Sequence, residues 1–284
     1  MDFGKPVVGS SAQHECMQQN QALHELLEAL PADERLRGRT ALITGSSSGI
    51  GEAIAKVLAA SGAEVVVSGR NSDRAGAVAD AIRAKGGTAH VVTATLDAEP
   101  SEIREFAARA EAALGGSIDI LVNNAGVYPG GSTADVTDEE MQALWATNIR
   151  APHVLVATLA PRMAERGHGS IVNIGSWMAR VGVPYKALYP ATKAAIEQLT
   201  RAWAAEYGPS GVHVNTVAPG ATATPGNGAF VDVLAAMTKD TPAGAPVRPI
   251  DIAYAVRWLV SDEAAFVHGA TFDIDGGIAA TRMR

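Results

Sequence analysis

The segment LYPATKAAIE, residues 188–197, sets a tyrosine and a lysine four positions apart at the head of a stretch that reads as a helix. Positions i and i+4 share a helix face, so Tyr189 and Lys193 are expected to lie one above the other. A free phenol, with a pKa of about 10, exchanges protons poorly at neutral pH. A cation held beside it favours the phenolate and lowers that pKa. The reading puts Lys193 in the first turn, where the positive end of the helix dipole disfavours an ammonium group but favours a phenolate. A residue badly placed for its helix and well placed to tune its neighbour marks a functional site. The pair is a candidate general acid/base.

A second candidate lies upstream in TGSSSGIG, Thr44–Gly51. Gly45, Gly49 and Gly51 let the chain turn tightly and approach a ligand, and a following helix offers free N–H groups to a pyrophosphate. The same letters spell GSSSG, a nucleophile elbow with Ser47 as the attacking serine, and Asp251 and His268 follow in triad order. That serine hydrolase reading is weakened because only one strand precedes the loop, leaving no earlier strand–loop to supply the second oxyanion N–H. The seven histidines show no His-x-His or His-Glu-x-x-His spacing, so no metal site is expected.

These residues need a scaffold. The 284 residues are 47% hydrophobic and 19% charged, enough for a sizeable aliphatic core. A net charge of −7 argues against a basic nucleic-acid-binding face. The lone Cys16 fits a reducing compartment. No apolar run reaches the roughly 18–20 residues of a membrane span. The start lacks the basic flank and apolar centre of a secretory signal. The expectation is a soluble, cytoplasmic protein with no membrane partner.

Short apolar strands alternate with helices from Thr40 onward. The strands read as TALITG, AEVVVSG, AHVVTATL, IDILVNNAG, GSIVNIGS, GVHVNTVAPG and GATFDIDGG. The helices read as about 49–60, 72–85, 100–114, a long region over 137–165, and the Tyr189 helix to about Tyr207. Such alternation predicts an α/β, doubly wound Rossmann-type fold, its seven-stranded parallel sheet flanked by helices on both faces. Residues 39–284 form that domain. Residues 1–38 form an N-terminal arm with a short amphipathic helix, carrying Leu23, Leu26, Leu27 and Leu30 on one face and ending at Pro31. The leucine face packs on the main domain or docks on a neighbouring subunit.

Taken together, the motifs resemble the short-chain dehydrogenase/reductase family in its ordinary-length branch, from about Arg39 to Ala280. TGSSSGIG looks like the T-G-x-x-x-G-I-G cofactor loop, and Asn123–Gly126 matches the N-N-A-G element. IVNIGS supplies Ser176, thirteen positions before Tyr189, and WATNIR supplies Asn148. Pro219, Gly220, Thr222 and Thr224 fit the nicotinamide-side loop.

The resemblance implies hydride transfer between a nicotinamide cofactor and a carbonyl or secondary alcohol, on a ketone or 3-oxoacyl-type small molecule. It assigns catalysis to Asn148, Ser176, Tyr189 and Lys193, with Lys193 on the nicotinamide ribose and Asn148 holding a water. Cofactor contacts fall to Gly45, Ser47, Ser48, Gly49, Ile50 and Gly51, then Asn124, Ala125 and Gly126. Asp97 resembles the adenine-contacting aspartate, or else caps the next helix. The second strand ends in Ser68, Gly69, Arg70 and Asn71 with no carboxylate, so Arg70 favours NADP(H), with NAD(H) possible. Val127, Tyr128, Trp177, Met178, Val181 and Tyr185 are expected to wall a largely apolar pocket, and residues 221–249 to form a mobile lid. Arg180 is expected to point to solvent. The family outline implies a homotetramer built on the long helices, with Trp203 in that contact or in the core. A non-catalytic dinucleotide sensor would lack the tyrosine or the lysine, and this chain has both.

Overall fold

The computed structural model describes residues 30, 33–129, 131–182, 187–225 and 231–281. Seven strands form one parallel sheet: β1 (Thr40–Ile43), β2 (Glu64–Val67), β3 (Thr88–Val91), β4 (Ile120–Asn123), β5 (Gly169–Ile174), β6 (Val212–Pro219) and β7 (Thr271–Ile274). The order across the sheet is β3-β2-β1-β4-β5-β6-β7. Strand order reverses between β1 and β4, so the loops leaving those two strands diverge and open a crevice at the carboxyl edge.

Helices α1 (Gly49–Ala60), α2 (Ser72–Ala84), α3 (Pro100–Ala113), α4 (Asp138–Trp145), α5 (Ala151–Arg166), α6 (Leu188–Tyr207), α7 (Val231–Thr238) and α8 (Pro249–Leu259) complete the described architecture. Side chains alternate along each strand and feed two cores. On one face Ile43, Val65 and Val122 meet Ile54 and Leu58 of α1 and Val256 of α8. On the other, Leu42, Val66 and Leu121 meet Phe106 of α3 and Leu155 and Leu159 of α5. Each such large side chain contributes about 1.5–3 kcal/mol by leaving water. Trp203 lies in this second core, 5% exposed.

The secondary structure departs from the sequence reading in four places, the first being α7, a helix within the segment expected to be a mobile lid. The third strand ends at Val91 rather than at Leu96. It is an edge strand, and Ala94 and Leu96 turn over the crevice instead. The single long helix read over 137–165 is broken by a π turn, Ala146–Arg150, between α4 and α5. Helix α8 lies where the sequence pattern predicts no regular element. Pro249 opens it, Asp251 accepts from the Arg248 backbone N–H, and Ile252, Val256 and Leu259 point inward.

The leucines at 23, 26 and 27 lie outside the described residues, as do Tyr185 and part of the 221–249 segment. Leu36 is fully buried, and the backbone N–H groups of Asp33 and Leu36 donate to Ala60 and Ser61 at the end of α1. Among the described residues no helix is long and apolar enough to cross a membrane.

Candidate active site

The crevice is a cleft of about 670 Å³ along the carboxyl ends of the strands. Its floor is the turn between β1 and α1. Gly45 and Gly49 adopt φ of 65° and 59°, which side chains rarely tolerate. A methyl group on Gly51 would sit 2.4 Å from the Gly45 carbonyl and 2.5 Å from Asn124 Nδ2, so only glycine fits. Ser48, at the N-cap of α1, makes no side-chain capping bond, leaving the first N–H groups of the helix uncapped beside the cleft. An uncapped helix N-terminus over a glycine turn fits a dinucleotide pyrophosphate. Ser47, Ser48 and Ile50 line the same wall.

The β4 segment braces this turn. Asn124 Nδ2 donates to the Thr44 and Gly45 carbonyls, at 2.8 and 3.1 Å. The Thr44 hydroxyl accepts from the backbone N–H groups of Asn124 and Ala125. Asn124 thus shapes the cradle with its side chain, while Ala125 and Gly126 face the cleft. Across it, Thr224 stands 3.4 Å from where a Gly49 methyl would be, so the β1 and β6 loops meet over the floor. Pro219, Gly220 and Thr222 continue that side, and the Thr222 hydroxyl donates to the Gly220 carbonyl at 2.9 Å.

At the far end, Arg70 and Asp97 line the cleft, and Arg74 joins them. The sequence reading missed Arg74. Its signal was the four-residue spacing from Arg70 across the start of a helix. Asn71 is not a lining residue: its Oδ1 accepts from the Arg74 N–H and caps α2. Asp97 is not the cap of α3, a position held by Glu99 with its partner Glu102.

At the other end stand Ser176, Tyr189 and Lys193. Ser176 precedes a short 3₁₀ turn, and its Oγ accepts from the Met178 N–H at 3.2 Å. The same side chain is close enough to the Tyr189 phenol to pull its pKa down. Helix α6 begins at Leu188, so Lys193 is its sixth residue, beyond the first turn where it had been read. The helix dipole therefore bears little on it. Its Nζ donates to the Ile174 carbonyl at 2.8 Å and lies 5.8 Å from the Tyr189 ring centroid.

Burial pushes the Tyr189 phenol above its ordinary range; Ser176 pulls it back, and Tyr128 pushes it up further. The depressed phenol expected from a neighbouring cation is not what this geometry produces, because burial outweighs the other influences. Burial instead lowers Lys193 to about 8.

Asn148 is buried behind the cleft, on the π turn. Its Oδ1 accepts from the Val127 N–H at 2.9 Å, and its Nδ2 donates to the Val127 carbonyl and to Thr192 Oγ1. A methyl group on Gly126 would lie 3.3 Å from Asn148 Oδ1 and 3.5 Å from Lys193 Nζ, so the three meet at one point. Tyr128, Trp177 and Met178 wall this end, as read from the sequence; Val233, Leu234 and Met237 of α7 add to it.

No hydrolase triad assembles. Asp251 is paired with Arg248, and His268 stacks on His213 at the opposite edge of the sheet, ring centroids 4.3 Å apart. Among the described residues no group of three or more His, Cys, Asp or Glu side chains is placed to hold a metal ion.

A family model described as Enoyl-(Acyl carrier protein) reductase matches residues 45–279. The chain is 37% identical over 244 residues to the 2,5-dichloro-2,5-cyclohexadiene-1,4-diol dehydrogenase of Sphingobium indicum, covering 86% of this chain and 97% of that one. It is 33% identical over 249 residues to the cyclopentanol dehydrogenase of Comamonas testosteroni, covering 87% and 99%. Among solved structures it resembles a gluconate 5-dehydrogenase from Burkholderia cenocepacia J2315 in complex with NADP and tartrate. That likeness has a TM-score of 0.81 at 35% identity, covering 88% of this chain and 99% of that one. The chain belongs to the short-chain dehydrogenase/reductase family, and it is an NAD(P)-dependent oxidoreductase acting on an alcohol or ketone group.

Proposed function

We propose that this protein is an NADP(H)-preferring enzyme for apolar, alicyclic ketones and secondary alcohols, with Tyr189 as its acid/base. The observation that carries the reading is the charge distribution along the cleft. Among the described residues, the charged ones lining it apart from buried Lys193 are Arg70, Arg74 and Asp97, all on the β2–β3 side. Two arginines after β2, a strand that itself ends without a carboxylate, suit a 2′-phosphate, which a guanidinium grips through its planar fork. Among the described residues the walls around Tyr189 are largely apolar and aromatic, and Lys193 is the one cation lining that end. That favours a cyclic ketone over a sugar acid of the kind named for the Burkholderia neighbour.

When bound, the nicotinamide dinucleotide supplies or accepts the hydride. The Tyr189 hydroxyl gives its proton to the substrate oxygen in reduction and takes it back in oxidation. The Ser176 hydroxyl donates to the same oxygen and stabilises charge as it develops there. Lys193 would hold the nicotinamide ribose from its post beside Gly126. Asn148 is a positioning residue: it clamps Val127 and so sets the backbone beside Lys193. The uncapped N-terminus of α1 and the Gly45–Gly51 turn would take the pyrophosphate.

The test is kcat/KM for cyclopentanone and for a keto-sugar acid, each with NADPH and NADH. We expect the cyclic ketone to be preferred, with NADPH ahead of NADH by about tenfold or more, one charge-assisted contact's worth. Preference for the keto acid would overturn the substrate reading, and preference for NADH the cofactor reading. A homotetramer and a cytoplasmic location complete the proposal. Fully exposed Phe266 and the exposed Trp145 support an assembly contact, and the lone Cys16 supports a reducing compartment. Light scattering at a single-subunit mass would refute the tetramer.

A further inference from the structure

A second groove, of about 740 Å³, runs between α1 and α2 on the outer side of the first core. Ala59 of α1 and Ala77, Ala81 and Ala84 of α2 line it, and those three α2 alanines are solvent-exposed. These small apolar positions, flanked by charged Glu34, Arg37, Glu52, Lys56 and Lys85, suit an amphipathic third helix. Leu30 also lines the groove and packs against the first core.

We infer that this groove is the docking site for the chain's own segment at residues 22–30, ALHELLEAL, held in cis by its leucine face. Three observations choose that occupant. Leu30 is seated already, and it is the last member of the stripe Leu23, Leu26, Leu27, Leu30. On a helix those four share one face, so the position of Leu30 turns the other three toward the groove. The lengths also agree. Leu23 to Leu30 and Ala77 to Ala84 each span seven residue steps, about 10.5 Å of helix. Finally, the small alanine side chains allow close approach, near the short end of the usual 8–10 Å between helix axes.

The placement has a consequence for the cleft. Ser47 and Arg74 line both the groove and the cleft, so they form the wall between them. The docked segment buttresses that wall from outside. The docking itself stands independently of which cofactor the cleft prefers.

The test is photocrosslinking of the full chain carrying Ala81→p-benzoylphenylalanine, prepared as a mixture of ordinary and heavy-nitrogen-labelled chains. The expected adduct joins position 81 to a peptide from residues 22–30, both halves bearing the same label. Adducts joining light to heavy halves would show a second copy in the groove and overturn the proposal. Absence of any adduct to that peptide would overturn it as well. Adding Leu23→Asp and Leu27→Asp should lower the adduct yield about tenfold with an unchanged circular dichroism spectrum. An unchanged yield in that variant would refute the leucine face as the contact. Should the Ala81 variant fail to fold, the label moves to exposed Ala77 with the same readings.

Discussion

Arg180, on the loop that follows Ser176, grips Asp273 of β7 through both terminal nitrogens, while its Nε lies 3.6 Å from Glu197 of α6. It was expected to point to solvent, and instead it ties the substrate-side loop to two elements of the scaffold. Burial pushes the Glu197 carboxyl up and Arg180 pulls it back. The pair with Asp273 is partly exposed, so its weight in global stability is small, about 1 kcal/mol or less. Its effect falls on the loop. Arg180→Ala should raise KM for the ketone several-fold while Tm moves by only about 1–2 °C. A KM unchanged from wild type would remove the clamp from the account.

Tyr189→Phe deletes the proton donor and leaves the cradle intact. The loss in kcat should be about 10²–10⁴-fold, with NADPH affinity by fluorescence titration nearly unchanged. Ser176→Ala should lower kcat by about 10²-fold, because it removes one donor to the developing oxyanion. A Tyr189→Phe enzyme with near-normal kcat would end the acid/base assignment.

The Lys193 ammonium is depressed by burial from 10.5 to about 8. Below pH 8 it is charged in both the folded and unfolded chain, and folding bears the full desolvation cost. Between pH 8 and 10.5 the unfolded chain binds more protons, so stability attributable to this residue rises with pH. At about 1.4 kcal/mol per pH unit the change is on the order of 3 kcal/mol. Urea unfolding of wild type against Lys193→Met should show the wild type gaining on the variant by roughly that amount from pH 7.5 to 10.5. A constant difference would contradict the buried charge. In the free enzyme, kcat/KM should fall above pH 8 as Lys193 loses its proton.

Gly51→Ala would press a methyl group onto the Gly45 carbonyl and Asn124 Nδ2. The turn must shift, because two of the three nearest atoms belong to the backbone. Destabilisation of about 1–3 kcal/mol is expected, as for overpacking in a core. NADPH affinity should fall more than tenfold, since the N–H groups of the cradle move with the turn. A variant binding NADPH as wild type would show that the floor of the cleft lies elsewhere.

Beneath the site a buried chain of hydrogen bonds crosses the sheet. Asn123 Nδ2 donates to Asn173 Oδ1, Asn173 Nδ2 donates to Thr200 Oγ1, and Thr200 pairs with Thr216. It anchors α6, and with it Tyr189 and Lys193, to β4, β5 and β6. Asn173→Leu leaves the buried Asn123 Nδ2 without its acceptor and takes one donor from Thr200, which keeps Ile196 and Thr216. It should cost about 2–4 kcal/mol in chemical denaturation. A cost under about 0.5 kcal/mol would mean that packing alone holds the helix.

The alternation of strands and helices was readable because strands buried on both faces leave continuous apolar runs and glycines mark the turns between them. The start of α6 near Leu188 and the glycine turn of Thr44–Gly51 were both legible for that reason. Helix α8 was not, because its proline and the Gly/Pro-rich segment before it read as loop. Its inward residues declare themselves only when α1 is there to meet them. The π turn at Asn148 is invisible for a similar reason: one extra residue in a helical turn leaves the apolar pattern nearly unchanged.

By itself the sequence determined which side chains are candidates for the chemistry and the order in which strands deliver them to one sheet edge. Tertiary structure alone decided what each side chain is bonded to. Lys193 finds Ile174, Asn71 turns from ligand to helix cap, Arg74 swings beside Arg70, and Arg180 finds Asp273. Those outcomes depend on through-space distances between segments far apart in the chain. Local spacing constrains a residue's neighbours within one turn of helix and carries no information about partners beyond it.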